Sequence, residues 1–206
     1  MAIKLNFINL SNDQNNSQVV IFGKNLATDF SELAIAWMVI QNCGQGDNHP
    51  FTYPMSNQIS ASDSWGNYMP RYDAAPGQRF EVVADNSGDV LRLSPDRASS
   101  PRSIELLNAL PKGACNGLIY KGGRLYALKA NIAPGQKAEF AFGPTIWIGA
   151  VSQVTQGEVI NSAILSQVNT EISLLGIASA DILMTGGGPG RNATPFQFSL
   201  QNVVMA

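Results

Sequence analysis

Hydrophobic and polar positions alternate along this chain in short runs, and turn-forming residues close each run. Ile3, Leu5 and Phe7 alternate with Lys4 and Asn6, which predicts a half-buried strand. The polar residues 12–17 then lead into the apolar run 19–22, and the pair reads as a first hairpin. Residues 34–40 are apolar throughout, with Trp37 at the centre. Asp29 and Glu32 would cap a helix there, but Gly44, Gly46 and Pro50 close the run within a strand's length, so a fully buried strand is expected. Residues 59–63, 68–72 and 80–83 follow as strands. Residues 90–93 pair back across Asn86-Ser87-Gly88, and 97–102 is a loop bounded by Pro95 and Pro101. Residues 104–107 are too short to classify by periodicity.

The clearest hairpin is 118–120 with 124–128, because Gly122-Gly123 supplies the left-handed backbone that its turn requires. Residues 145–151 form another buried run around Trp147. Between 155 and 168, Thr155 and Glu158 make a capping box, and Val159, Ile160, Ala163, Ile164, Gln167 and Val168 recur at helical spacing, which predicts a short helix. Residues 172–184 return to strand, with a bulge or bend at Gly176, and residues 186–190 read as a flexible glycine loop. Phe196, Phe198 and Leu200 alternate into a last strand.

One turn-and-strand is written twice. Residues 75–82 (Ala-Pro-Gly-Gln-Arg-Phe-Glu-Val) return 58 residues later as 133–140 (Ala-Pro-Gly-Gln-Lys-Ala-Glu-Phe). Proline sets φ near −65° and glycine accepts φ > 0, so Pro-Gly fits the centre of a type II turn. Each copy follows a strand, a glycine turn (Gly66 or Gly122-Gly123) and a second strand. The expected fold class is therefore all-β: a single domain over residues 1–206, built as a two-sheet antiparallel β-sandwich of jelly-roll type, with an internal hairpin repeat and at most one or two short helices.

Composition narrows the function. Charged residues are 14% of the 206, and 18 Asn plus 12 Gln outnumber the 28 charges, so the surface must be largely neutral and hydrogen-bonding. A net charge of −2 leaves little repulsion between copies. Nucleic acid is not an expected partner. Phosphate binding draws on a basic stripe, whereas Arg92, Arg97, Arg102 and Lys112 are interspersed with Asp96 and Glu105. Residues 1–20 contain no apolar run before a cleavage site and no segment reaches the length of a transmembrane span, so the expectation is synthesis in the cytoplasm, with non-classical release left open. Cys43 and Cys115 are too few and too distant for a disulfide framework, and buried free thiols are expected.

Candidate chemistry is sparse. His49 is the single histidine, in Gly-Asp-Asn-His-Pro, and reads as a turn residue, since the chain carries no Gly-x-Ser-x-Gly elbow. Three His and Cys residues, widely separated, argue against zinc. Residues 186–190 lack the Lys-Ser/Thr and following helix of a phosphate loop. Glu81 and Glu139 occupy matching repeat positions and read as the outward face of equivalent strands rather than a glycosidase pair. Residues 85–89 (Asp-Asn-Ser-Gly-Asp) offer alternating oxygen ligands but lack the length and glutamate of a calcium loop. No catalytic residue, metal or cofactor is expected.

Residues 64–72 hold the one candidate binding loop. Trp65, Tyr68, Arg71 and Tyr72 lie together near a turn, where they could stack on a sugar ring or anchor a partner, or where the tyrosines could pack into the core. Residues 145–185, sparse in charge, resemble in pattern either a buried sandwich face or a membrane-inserting hairpin.

The expected function is that of a non-catalytic structural protein assembling with itself into a filament, inclusion or similar homopolymer. Strand edges and the apolar ends, residues 1–6 and 203–206, are the expected contacts. The alternative is a glycan- or lipid-binding module using the Trp65 loop.

Overall fold

In the computed structural model, which describes residues 2–27, 34–161, 164, 165, 168 and 170–206, the chain is all-β. Its strands form four four-stranded sheets rather than the expected two. They fall into two compact units: Met1–Gly23 with Ala34–Met55 and Pro144–Ala206, and Lys24–Leu33 with Ser56–Gly143.

The first unit holds two sheets. In one, the order is β16 (Thr194–Met205), β15 (Ile177–Gly187), β1 (Ala2–Asn9) and β4 (Asn48–Pro54). In the other it is β14 (Thr170–Ser173), β13 (Thr145–Val151), β2 (Gln18–Phe22) and β3 (Met38–Ile40). The first hairpin expected from sequence does not exist. β1 pairs parallel with β15 and antiparallel with β4, while β2 pairs with β13 and β3 in the other sheet. The polar segment after β1 carries the chain between sheets because Asn12 is held by the end of β15: its N–H donates to the Gly186 carbonyl at 2.8 Å, and its own carbonyl accepts from Gly188 at 2.8 Å.

That contact explains the glycine run. A Cβ on Gly187 would sit 2.9 Å from the Asn12 oxygen, and one on Gly186 would sit 2.3 Å from the Pro195 oxygen. Gly186 and Gly187 thus close β15 under tight backbone contact, and they are not a free loop.

Trp37 is buried beside β3, at 1% exposure, with Tyr53 edge-on at 5.5 Å, and only the end of the 34–40 run is ladder strand. The alternative capping pair, Asp29 and Glu32, lies outside the described residues. β4 is a strand that the sequence reading does not anticipate: it carries Pro50 and Pro54, and His49 pairs opposite Phe7 on it rather than sitting in a turn. A sheet edge tolerates prolines where an interior strand would not.

Residues 155–168 are described in part, and their helical turn starts later than the capping box implies. Glu158 N–H donates to the Thr155 carbonyl in a simple turn. The side chain of Asn161 then accepts from the Ile164 N–H at 2.9 Å, and i→i−4 bonds run from Leu165 to Asn161 and from Val168 to Ile164. Asn161 is the N-cap. Ile160 and Val168 bury with Val20, Phe22, Trp147 and Val151.

The second unit also holds two sheets. One runs β11 (Arg124–Ile132), β10 (Cys115–Lys121), β5 (Asn57–Asp63), β6 (Tyr72–Ala74); the other runs β12 (Lys137–Phe140), β9 (Ile104–Asn108), β7 (Gln78–Asp85), β8 (Gly88–Arg97). The β10–β11 and β7–β8 hairpins stand as expected. Of the strand expected at 68–72, only Tyr72 is in a ladder, and Tyr68 makes an isolated bridge to Ser62. Ile59, Ala61 and Ile119 bury against Phe80, Val82, Leu106 and Phe140, so the core of this unit draws on both its sheets. Both Pro-Gly segments turn: Gln78 N–H reaches the Ala75 carbonyl at 3.2 Å and Gln136 N–H reaches that of Ala133 at 3.0 Å, with φ of 87° at Gly77 and 75° at Gly135.

Candidate interaction surfaces

Trp65 is 89% exposed at the tip of a loop braced by one carboxylate. Asp63 Oδ1 accepts from the Trp65 and Asn67 N–H groups, both at 2.9 Å, and Oδ2 accepts from Asn67 Nδ2 at 2.7 Å. These bonds, the Asn67 side chain foremost, hold the Asp63 carboxyl below the usual carboxylate range. The indole is therefore displayed on an ordered turn.

The other residues of the sequence-predicted loop divide. Tyr68 is 68% exposed and Tyr72 41%, so neither is core. Both line a cleft of about 410 Å³ with Asp63, Asn67, Ser87 and Asp89. Arg71 turns elsewhere. Its guanidinium stacks 3.7 Å over the ring of Tyr120 and donates to the Gly123 carbonyl at 3.2 Å.

The second surface is β16. It spans 12 residues, ends its sheet, and pairs among the described residues with β15 alone. Not one charged residue occurs from 194 to 206. Phe196, Phe198 and Leu200 are half-buried on one face, Gln197, Ser199 and Gln201 are exposed on the other, and Val203, Val204 and Met205 are exposed beyond them. A bulge at Asn202, whose φ is 50°, bends the end of the strand. Asn202 Nδ2 fixes it by donating to Asp181 Oδ2 at 2.7 Å. The sequence announces β16 as a strand by its alternation, but its edge position follows from pairing partners far away in the chain.

At the other end of the chain no strand edge is open among the described residues. β1 lies between β15 and β4, with Ile3 and Leu5 buried, so the expected docking through residues 1–6 is replaced by an interior strand. Within residues 145–185, β13 lies between β14 and β2 and β15 between β16 and β1, while the four-residue β14 is a sheet edge. Among the described residues no helix is long and apolar enough to cross a membrane.

Several ionisable groups are held in structural contacts. Glu105, with a fully buried side chain, receives Arg79 Nε and Lys137 Nζ, each at 2.9 Å, and the Ser99 N–H at 2.6 Å. Burial raises its pKa, but the Lys137, Ser99 and Arg79 bonds outweigh this and hold it down to about 2. Glu81 accepts from Ser94 and Arg92, and Glu139 pairs with Lys137. Asp85 Oδ1 accepts the Asn86 N–H in the β7–β8 turn. Both cysteines are free. Cys115 is buried and burial pushes its thiol up to about 11, whereas Cys43 is only half-buried, a departure from expectation. Among the described residues, no three His, Cys, Asp or Glu side chains gather as a metal site.

Compared with known protein families, curated proteins and solved structures, the chain matches none.

Proposed function

We propose that this chain is a non-catalytic structural protein that assembles with copies of itself, and that the open edge of β16 is the surface it uses. One observation carries the reading: a 12-residue edge strand without a single charge, whose run 196–201 also holds no proline and whose last residues, Val203, Val204 and Met205, are exposed. An edge presents a row of unpaired N–H and C=O groups, and monomeric proteins guard such rows with lysine, proline or brevity. The other long edges in this molecule carry such guards: β4 has Pro50 and Pro54, β8 has Arg92, Pro95 and Arg97, and β11 has Arg124 and Lys129. The remaining edge strands β3, β6, β12 and β14 run three or four residues. In this reading each compact unit is a β-sandwich of jelly-roll kind, mainly antiparallel but with one parallel pair, β1–β15 or β7–β9, and the hairpin repeat sets β7 and β12 on either side of β9.

Sedimentation velocity over a range of concentrations, with negative-stain microscopy, tests the proposal. Oligomers that dissociate on dilution are expected. The double variant Ser199→Lys, Gln201→Lys adds to this edge the charge with which other proteins guard theirs and is expected to weaken association by about tenfold or more. A wild-type chain that stays monomeric at every concentration overturns the reading.

A second reading has its own observation, the Asp63-braced Trp65 beside the tyrosine-lined cleft. Aromatic side chains with polar neighbours stack on sugar rings, and an exposed indole inserts at a lipid interface. Glycan-array binding or liposome pelleting that Trp65→Ala abolishes would favour recognition over assembly.

A further inference from the structure

We infer that β16 pairs with β16 of a second copy, antiparallel about a two-fold axis at Phe198. This rests on the assembly reading above and names its geometry. The sheet of β16 has one other edge, β4, and that edge is guarded. Pro50 and Pro54 lack N–H groups, and both stand four apart on the same side of the strand. A proline cannot donate into the ladder with β1, so the two take the outward-facing positions and remove donors that an incoming strand would need. Head-to-tail growth, β16 onto β4, is thereby disfavoured. Pairing of like edges remains.

The register follows from side-chain faces. Between the irregularity at Thr185/Gly187 and the bulge at Asn202, residues 197–201 pair with β15 in continuous register. A two-fold axis perpendicular to the sheet keeps each face on its own side, so facing residue numbers must add to an even total. A sum of 396 sets Phe196 opposite Leu200, Phe198 opposite Phe198, and Gln197 opposite Ser199. The three half-buried apolar residues then meet their counterparts on one face, and neutral polar residues meet on the other. A sum of 398 loses the contact of Phe196 with Leu200. No like charges face one another in either register, because the strand has none. The result is one eight-stranded sheet across the pair, closed by its symmetry.

Two variants, Gln197→Cys and Ser199→Cys, each in a Cys43→Ser background where the remaining Cys115 is buried, test the geometry. Both positions are exposed on the polar face, and facing residues of an antiparallel pair lie within disulfide reach. Mixed and mildly oxidised, the two are expected to give covalent dimers linking 197 to 199, in clear excess over either variant alone. Light scattering on the unmodified chain runs alongside. Oligomers without that cross-link overturn the two-fold register while leaving assembly standing. No oligomers at all overturn both. A retained thermal melt and circular-dichroism spectrum for each variant exclude misfolding as the cause of a missing cross-link.

Discussion

Arg79 and Glu105 face each other across the parallel pair β7–β9, with Nε and Oε2 2.9 Å apart, and the other carboxylate oxygen of Glu105 binds Lys137 from the antiparallel neighbour β12. Arg79 and Lys137 each follow the glutamine of an Ala-Pro-Gly-Gln segment. The two written copies of that segment therefore deliver a cation, from opposite sides, to one buried carboxylate. The duplicated turn aims each strand so that its first cation reaches β9.

Glu105→Gln is expected to cost about 3 kcal/mol, because the charge-assisted bonds from Arg79, Lys137 and the Ser99 N–H to one buried carboxylate are weakened together. Arg79→Ala and Lys137→Ala should each cost less, since the remaining cation still holds the carboxylate and both side chains reach solvent. Urea unfolding of the three variants checks the order.

The same carboxylate sets an acid limit. Its folded pKa lies near 2, below the ordinary glutamate value, so its contribution is complete above about pH 4.5 and is lost as pH falls through 2. Wild type is expected to lose stability over that window more steeply than Glu105→Gln, as read by unfolding midpoints at stepped pH.

Lys121 works in the opposite direction. Burial pulls its ammonium down to about 8, below the ordinary lysine value, while its Nζ lies 5.2 Å from the Tyr126 ring. The unfolded chain then binds more protons between pH 8 and 10.5, so this group adds stability as pH rises through that range. Lys121→Met should flatten the rise, which melting temperatures from pH 7 to 10.5 would reveal.

Gly117 marks the tightest approach in the core of the second unit: a Cβ there would sit 2.8 Å from Leu106 Cδ2 and 3.2 Å from Phe140 Cζ. Gly117→Ala is expected to destabilise by about 1–3 kcal/mol through overpacking. Chemical denaturation checks it.

Three tryptophans report separately on the exposed loop. Trp37 and Trp147 are at most 8% exposed, against 89% for Trp65, so iodide should quench one fluorophore of three. Trp65→Phe should abolish the quenchable fraction. Asp63→Ala should keep that fraction but lower its fluorescence anisotropy, because the brace on the loop is gone.

The all-β class, the hairpins at Gly88 and Gly122-Gly123, the paired Pro-Gly turns and the exposed Trp65 turn were legible in the residues, because each depends on alternation or on backbone that only certain side chains permit. Partnership was not. Whether β1 joins β2 or β15, whether Phe196, Phe198 and Leu200 lie inside a sheet or at its edge, and which of fifteen acids is clasped by two cations depend on strands up to 175 residues apart meeting in space. Local pattern carries the face a strand presents, while the identity of its neighbours comes from burying all such faces at once, and that is decided only when the whole chain folds.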